Sequence, residues 1–399
     1  MEKDENNKPI YSIGIFGLLN SGKCTLSVSL SCKYGSISKP NWFIYKNIGY
    51  KILSIPCAYV DYNENFELSI LNCDYSIVMV DTSVDLNNYD YYEKLIPLFF
   101  VNNVSKVIFG LNKIDKIKWS EENKKEFTKK INDIFDVYRT FFGKSTIEID
   151  FIELNAKESI NIDTIIEKID NHQKENLNNE NVKMQIFEHY VDQSQNTVVI
   201  SGKIIEGNVH INNKEPTRLK YTFLPSNDAI TLSPIKICNS EDQYVNYANA
   251  GEFITLKFDL QLFIPQTINK SSLLLSCDAV EQKDFAIFDT FEASIIAAPS
   301  SSCPVISKGL SCIFNSYSFS SESQIEKIVG TIEKDGSITK KPFIQCQTGV
   351  SGIIIIKIKE PIMRQKYELS NKLGTFTLKK GEDVIACGKI NKYKKYIFK

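Results

Sequence analysis

The sequence predicts an α/β domain built on a mostly parallel sheet, followed by two all-β barrel domains. Three observations lead to this fold class. Residues 1–172 alternate strand-like apolar runs with longer amphipathic stretches, as in a parallel sheet covered by helices. Residues 173–184 are polar and predict an exposed linker. After the linker, short β-rich runs are broken by Gly, Pro, Asn and Ser, and they predict barrels over residues 185–282 and 283–399.

The α/β part has a regular order of predicted elements. Its strand-like runs cover residues 11–16, 51–55, 76–80, 106–111 and 149–154. Residues 42–55 also have the pattern of a hairpin. A helix is predicted over residues 120–142, because Ser120 can cap it, two Glu follow, and apolar residues then recur at helical spacing.

The composition is that of an ordinary globular chain. It has 399 residues, 43% of them hydrophobic and 24% charged, with a formal net charge of -1. This charge gives no global attraction to nucleic acid or anionic lipid, and we expect neither DNA nor a membrane as partner. No apolar run approaches the roughly 20 residues of a transmembrane helix, and the N-terminus is too polar for a signal peptide. Ten cysteines without a CxxC pair indicate reduced thiols rather than zinc ligands, which predicts a cytoplasmic protein without a metal site.

The first motif that carries chemistry follows the first predicted strand. Residues 17–24 read Gly-Leu-Leu-Asn-Ser-Gly-Lys-Cys, which is G-x-x-x-x-G-K-[ST] with cysteine in the last place. The glycines of such a loop let backbone N–H groups surround phosphate, and its lysine supplies positive charge. The alternative is a glycine-rich turn with a surface lysine. The nucleotide contacts predicted here are Asn20, Ser21, Gly22, Lys23, Cys24 and Thr25.

The second motif predicts a reader of the guanine base. Residues 112–115 read Asn-Lys-Ile-Asp directly after a predicted strand. Asp115 would accept hydrogen bonds from the N1–H and the exocyclic amine of guanine, which adenine cannot donate. The alternative is a capped turn, but the distance from the phosphate loop favours the base reader. The remaining predicted nucleotide contacts are Asn112, Lys113, Asn155, Ala156 and Lys157, the last three at the end of the next strand.

These segments together resemble the elongation factor 1-alpha family. That family includes the GTP-binding subunit of the eukaryotic release factor and the GTPase partner of the Pelota ribosome-rescue factor. Further similar segments lie at residues 30–39, 119–121, 202–209, 250–252, 373–378 and 388–390. The resemblance implies a P-loop G domain followed by two β-barrels, a bound GTP or GDP, and a role on the ribosome.

Against the family pattern, the parts that carry out hydrolysis are missing. Where the family has Asp-x-Pro-Gly-His, this chain has Ser54, Cys57 and Ala58 around a retained proline. These are degenerate positions, so no catalytic residue is assigned. The segment that closes over the γ-phosphate in the family has no room before residue 42, and Cys24 replaces the hydroxyl that binds Mg²⁺. We therefore expect no proper Mg²⁺ site. The alternative is that the box lies elsewhere, around Asp61 or at residues 80–82.

Three functions follow from these observations and stay open. The first is a guanine-nucleotide-binding translation factor with little or no hydrolysis. Its implied partners are the ribosome and a release-factor or Pelota-like protein held by the barrels, in termination or ribosome rescue, with tRNA a weaker expectation. The second is an active but divergent translation GTPase, which would use GTP hydrolysis. The third is a scaffold that binds no nucleotide.

Overall fold

The computed structural model describes most of the chain. The described residues are 10–35, 42–46, 48–54, 70, 73–84, 89–116, 119–143, 147–171, 181–210, 221–224, 231–232, 234–239, 242–259, 272–276, 285–300, 302–317, 319–333 and 336–393. Within them, no helix has the length and hydrophobicity needed to span a bilayer.

The N-terminal part is an α/β unit. Its strands are β1 (Ile10–Gly17), β2 (Trp42–Tyr45), β3 (Ile48–Ser54), β4 (Tyr75–Asp81), β5 (Lys106–Asn112) and β6 (Glu148–Leu154). Its helices are α1 (Lys23–Tyr34), α2 (Tyr89–Val101), α3 (Glu121–Phe142) and α4 (Ile162–Asp170). The sheet order is β2-β3-β1-β4-β5-β6, and only β2 runs antiparallel to its neighbour. The predicted strands, the hairpin and the helix over residues 120–142 are thereby confirmed.

Two hydrophobic cores cover the faces of this sheet. Alternate side chains of β1 point to opposite faces, so Ile15 packs with α1 and α4 while Phe16 packs with α2 and α3. Helix α3 begins as predicted, with the Ser120 hydroxyl accepting a hydrogen bond from the Asn123 amide at 3.2 Å. This layered arrangement leaves the loops at the carboxyl edge of the sheet free to carry a site.

The middle part is an all-β unit. Its strands are β7 (Lys183–Asp192), β8 (Thr197–Glu206), β9 (Val209–His210), β10 (Tyr221–Leu224), β11 (Thr231–Leu232), β12 (Lys236–Cys238), β13 (Tyr244–Val245), β14 (Tyr247–Ala248), β15 (Phe253–Asp259) and β16 (Leu273–Ser276). Eight of them form one sheet, and β9 pairs with β14. Lys183 and Met184, which the sequence places in the linker, belong to β7, while residues 172–180 lie outside the described part.

The C-terminal β unit closes into a barrel. Its strands are β17 (Ala286–Ala297), β18 (Val305–Ser307), β19 (Ser311–Ser316), β20 (Phe319–Ile332), β21 (Ile338–Thr339), β22 (Phe343–Gln345), β23 (Ser351–Arg364), β24 (Thr375–Lys380) and β25 (Asp383–Tyr393). The sheet order β19-β24-β25-β17-β23-β20 closes through pairing of β19 with β20. The fold class is as predicted, whereas the limits of the three domains remain a prediction.

Candidate nucleotide-binding site

The predicted site residues lie at one edge of the α/β sheet. Parallel register places Asp81 opposite Asn112, and Asn112 opposite Leu154. On the other side of β4, Gly17 lies opposite Met79. Because the carboxyl ends of parallel strands share an edge, the phosphate loop, the base-reading segment and the loop after β6 meet there.

Two glycines and a lysine shape the phosphate loop. Gly17 and Gly22 have φ of 140° and 102°, which an L side chain rarely adopts. A Cβ on Gly22 would lie 2.2 Å from the side-chain nitrogen of Asn112, so the close approach of Asn112 to the phosphate loop also requires glycine here. Lys23 is 3% exposed, and its ammonium donates to the Gly17 and Leu18 carbonyls at 2.5 and 2.7 Å. The positively charged Lys23 side chain therefore lies across the phosphate loop at the start of α1. The first N–H groups of α1 also favour an anion.

The other loop residues differ in exposure. Asn20, with φ of 60°, is exposed, as are Cys24 and Thr25 in the first turn of α1. Ser21 is fully buried, and its hydroxyl has no hydrogen-bond partner among the described residues. A buried hydroxyl without a partner costs free energy, so its presence beside this loop is consistent with a bound polar group.

Asn112 holds the three segments together. Its side-chain amide donates to the Ser21 carbonyl at 2.8 Å and accepts from the Ala156 amide at 3.0 Å. Its own carbonyl accepts from the Thr82 hydroxyl at 2.8 Å. With 3% of its surface exposed, Asn112 is a connector between phosphate loop and base-reading segment.

Lys113 and Asp115 differ in their bonding. Lys113 has φ of 67° and pairs with Asp81, Nζ to Oδ2 at 2.5 Å. Burial tends to raise the pKa of Asp81, but hydrogen bonds from Lys113 and Ser83 outweigh burial and lower that pKa. Asp115 lies in the 3₁₀ turn Ile114–Lys116, is exposed, and has no hydrogen bond or ion pair within the described residues. Its carboxylate is therefore available to a ligand.

The loop after β6 completes the arrangement. Asn155 is buried, and its side-chain oxygen accepts from the amides of Lys157 and Glu158 at 3.1 and 3.2 Å. Its side-chain nitrogen has no partner in the part of the chain described. The Ala156 carbonyl accepts from the Ser29 hydroxyl of α1 at 2.6 Å, while Lys157 is exposed. The backbone of this loop is thereby fixed beside the phosphate loop.

Among the described residues, the side chains at the head of α1 and at the end of β4 do not fit a Mg²⁺ site. At the head of α1, the side chain that would ligate the metal is the exposed thiol of Cys24, a soft donor unsuited to Mg²⁺. Ser54 ends β3 opposite Ile15, but Cys57 and Ala58 lie outside the described residues, as does Asp61. The described residues hold no cluster of His, Cys, Asp or Glu that could bind a metal. At residues 80–82, the Asp81 carboxylate is bound by Lys113 and Ser83.

Two residues of this edge, Ser29 and Tyr91, were missed in the sequence, while Asp81 and Thr82 were named only as an alternative position of the catalytic box. Ser29, Asp81 and Thr82 fix the loops through the bonds given above. Tyr91 of α2 accepts a hydrogen bond from the Gly17 amide at 3.0 Å. Only Asp81 carried a signal, since a charged residue directly after the apolar run 76–80 marks a strand end at this edge.

Comparison with known proteins gives matches in sequence. Residues 290–391 match the family model described as GTP-eEF1A C-terminal domain-like. The eukaryotic peptide chain release factor GTP-binding subunit of Candida maltosa is 25% identical over 307 residues, covering 72% of this chain. The aligned part is 40% of that relative, so the chain spans about two fifths of the length of the curated protein it matches.

Solved structures share the fold along almost the whole chain. Translation elongation factor SelB from Methanococcus maripaludis has a TM-score of 0.63 at 15% identity, covering 98% of this chain and 81% of its own. The GTPase-like domain of Ski7 from S. cerevisiae, bound to GTP, has a TM-score of 0.62 at 15% identity, covering 96% of this chain and 97% of its own. The chain is thus similar in sequence to the release factor GTP-binding subunit and shares its fold with SelB and with the GTPase-like domain of Ski7.

Proposed function

We propose that this chain is a translation-factor-like protein that binds GTP or GDP at the edge formed by β1, β5 and β6 and hydrolyses GTP little or not at all. The observation that carries the proposal is the joint geometry of the two motifs. The Lys23 ammonium spans the phosphate loop, Asn112 ties that loop to the base-reading segment, and the Asp115 carboxylate is exposed and unpaired among the described residues. These groups would hold the phosphates at one end of the nucleotide and the base at the other.

Each group has a specific part in binding. Lys23 and the first amides of α1 would neutralise phosphate charge. Asp115 would select guanine, because it can accept two hydrogen bonds from guanine, each contributing about 1.5–3 kcal/mol to a charged acceptor. The polar atoms of Ser21 and Asn155 that lack partners in the described structure lie in the two loops that would surround the ligand.

Weak hydrolysis is proposed from the missing chemistry. GTP hydrolysis depends on an oriented water and on charge neutralisation by metal and cations. The sequence has no histidine in residues 1–171, and the described His189 and His210 belong to β7 and β9 of the middle β unit. Cys24 offers a thiol in place of the metal-binding hydroxyl. An active divergent GTPase would need both functions from other groups.

The base reader is tested by calorimetry of the full chain with GTP, GDP, ATP and XTP. We expect the wild type to bind GTP or GDP and not ATP. Asp115→Asn should weaken GTP binding by about tenfold or more and favour XTP, because the amide now donates where xanthine accepts. Asp133→Asn on the exposed side of α3 is the matched control and should leave binding unchanged. An unchanged GTP affinity in Asp115→Asn would rule out this base contact, and no binding by wild type would favour the nucleotide-free scaffold.

Weak or absent GTP hydrolysis is tested by a phosphate-release assay. Release of inorganic phosphate from GTP is measured with and without purified ribosomes. We expect no turnover above the rate of nucleotide alone. Ribosome-stimulated release at the rate of an ordinary translational GTPase would establish the enzyme as the correct function.

The proposed partner is the ribosome together with a release-factor or Pelota-like protein that contacts the β units. A groove of about 520 Å³ on the C-terminal β unit supports this part of the proposal. Four lysines and one glutamate line it, namely Lys357, Lys359, Lys379, Lys380 and Glu322. The excess positive charge matches an acidic segment of a protein partner.

This contact is tested by charge reversal. Binding of the Pelota-like and release-factor-like proteins of the same organism is measured for Lys357→Glu and for the control Lys327→Glu, an exposed lysine of β20 outside the groove. We expect the groove variant to bind at least fivefold more weakly and the control to bind normally. Equal binding by both variants would exclude the groove.

A further inference from the structure

Helix α2 contacts the phosphate loop at its first turn. The Gly17 amide, the first of the loop, donates a hydrogen bond to the Tyr91 hydroxyl at 3.0 Å. Tyr91 is half-buried, and its ring packs edge-on against Tyr92, which lies in the core between α2 and the sheet. The position of α2 thus affects a backbone group on which the loop geometry depends.

The same helix is fixed to the C-terminal β unit by polar contacts along its length. Lys94 pairs with Asp383 of β25, Nζ to Oδ1 at 2.9 Å, and the other oxygen of Asp383 accepts from the hydroxyls of Ser300 and Ser302. Glu93 accepts from the Thr348 hydroxyl at 3.1 Å. At the last residue of α2, the Val101 carbonyl accepts from the Thr375 hydroxyl of β24 at 2.9 Å.

Apolar packing joins α2 and the C-terminal β unit into one core. Phe99 and Phe100 belong to the same buried cluster as Ile296, Val384 and Cys387 of β17 and β25. All five side chains are at most 2% exposed. Close-packed interiors transmit displacement because they have few voids to absorb it. A shift of helix α2 relative to the C-terminal β unit would therefore disrupt this packing.

We propose that Tyr91 is a positioning residue for the phosphate loop and that α2 couples occupancy of that loop to the seating of the C-terminal β unit. The coupling rests on the nucleotide binding proposed above. With the C-terminal β unit seated, α2 holds the Tyr91 hydroxyl against Gly17 and the loop in its phosphate-accepting form. Because such coupling is reciprocal, a bound nucleotide strengthens the seating of the C-terminal β unit by the same factor.

A double-mutant cycle on the full chain tests the coupling, with GDP affinity as the measured quantity. Tyr91→Phe removes the hydroxyl and keeps the ring, and Asp383→Asn weakens the bond to Lys94. Each change should weaken GDP binding by about three- to tenfold, the size of one hydrogen bond. The double variant should bind GDP at most about twofold more weakly than whichever single variant binds GDP more weakly. The reason is that both changes interrupt the same coupling through α2. Glu333→Gln, which breaks an exposed ion pair of the C-terminal β unit with Lys341, should leave affinity unchanged.

Hydrogen exchange of the amides of residues 383–393 distinguishes the coupling from a purely structural role of Tyr91. GDP should slow exchange of these amides in the wild type and leave it unchanged in Tyr91→Phe. If the two losses of affinity multiply, or if GDP leaves exchange in β25 unaltered while binding to the wild type, the coupling is refuted and nucleotide binding stands. If the wild type binds neither GTP nor GDP, both proposals fail, and if it binds GTP alone the same measurements are made with GTP. Thermal unfolding identifies a misfolded variant, and Lys94→Gln then replaces Asp383→Asn.

Discussion

The Asn112 side chain offers the sharpest test of how the site is assembled. Asn112→Ala removes two buried hydrogen bonds, to the Ser21 carbonyl at 2.8 Å and from the Ala156 amide at 3.0 Å. Leaving a buried polar group without a partner costs about 1–3 kcal/mol, so two such groups set an upper range of roughly 2–6 kcal/mol. Water can reach the opened edge and replace part of this loss. We therefore expect the α/β unit to lose about 2–4 kcal/mol of unfolding free energy.

Urea unfolding followed by tryptophan fluorescence measures this loss in the full chain. Both tryptophans lie in the first 119 residues, and Trp119 is 5% exposed in the core of the α/β unit, so the signal reports that unit. The control Asn132→Ala removes one bond to the Thr128 carbonyl within α3 and should change stability by less than about 0.5 kcal/mol. Equal midpoints for Asn112→Ala and Asn132→Ala would refute the view that Asn112 connects the loops.

Two further predictions concern single side chains. Tyr138 is fully buried in α3, and its hydroxyl has no hydrogen-bond partner in the described structure. Tyr138→Phe should therefore raise the urea midpoint by an amount equivalent to about 1 kcal/mol of unfolding free energy. A lower midpoint would reveal a hydrogen bond that the hydroxyl makes. Burial tends to raise the pKa of Asp383, but hydrogen bonds from Lys94, Ser302 and Ser300 outweigh it and lower that pKa to about 2, from 3.8. Because the folded pKa is the lower one, the stability that Asp383 contributes is present above about pH 4 and is lost as pH falls toward 2. The difference in unfolding free energy between wild type and Asp383→Asn, about 1 kcal/mol after solvent screening, should therefore narrow between about pH 4 and 2 in acid titrations of unfolding.

The motifs could be predicted because each is local. Each motif directly follows a strand-like run in the sequence, and the residues that follow such a strand lie at the carboxyl edge by the geometry of parallel sheets. The sequence therefore indicated Lys23 and Asp115 together with the edge they share. It did not indicate that Lys113 pairs with Asp81, because that contact depends on the register between β4 and β5.

Helix α2 was harder to recognise. Pro97 lies inside it, and Pro in a helix interior removes a backbone hydrogen bond, so the local pattern argues against a helix there. Tertiary packing overrides this preference, since eight residues of α2 are buried. The contacts of Tyr91 and Lys94 are invisible to sequence periodicity, because their partners are 74 and 289 residues away.

The sequence does contain a pattern that indicates packing of the C-terminal β unit against another surface. Strand β17 carries Ile295 and Ile296 in succession, and β25 carries an apolar run from Val384 to Cys387. Consecutive apolar residues in an antiparallel strand predict burial on both faces. Ile295 packs inside the barrel, while Ile296 packs against the α/β unit. Such a pattern predicts an interface, although it does not name the partner.

Cys24 provides the test of the metal. If a thiol stands where Mg²⁺ needs an oxygen, removing Mg²⁺ with EDTA should change the affinity of the wild type for GDP by less than about twofold. Cys24→Thr restores a hydroxyl at the same exposed position of α1 and should make GDP binding at least threefold tighter with Mg²⁺ than without it. The control Cys32→Ser changes an exposed thiol two turns further along α1 and should behave like the wild type. A wild type that loses GDP tenfold or more on chelation would show that other oxygen ligands hold the metal, and the argument for an inactive site would then lose its main support.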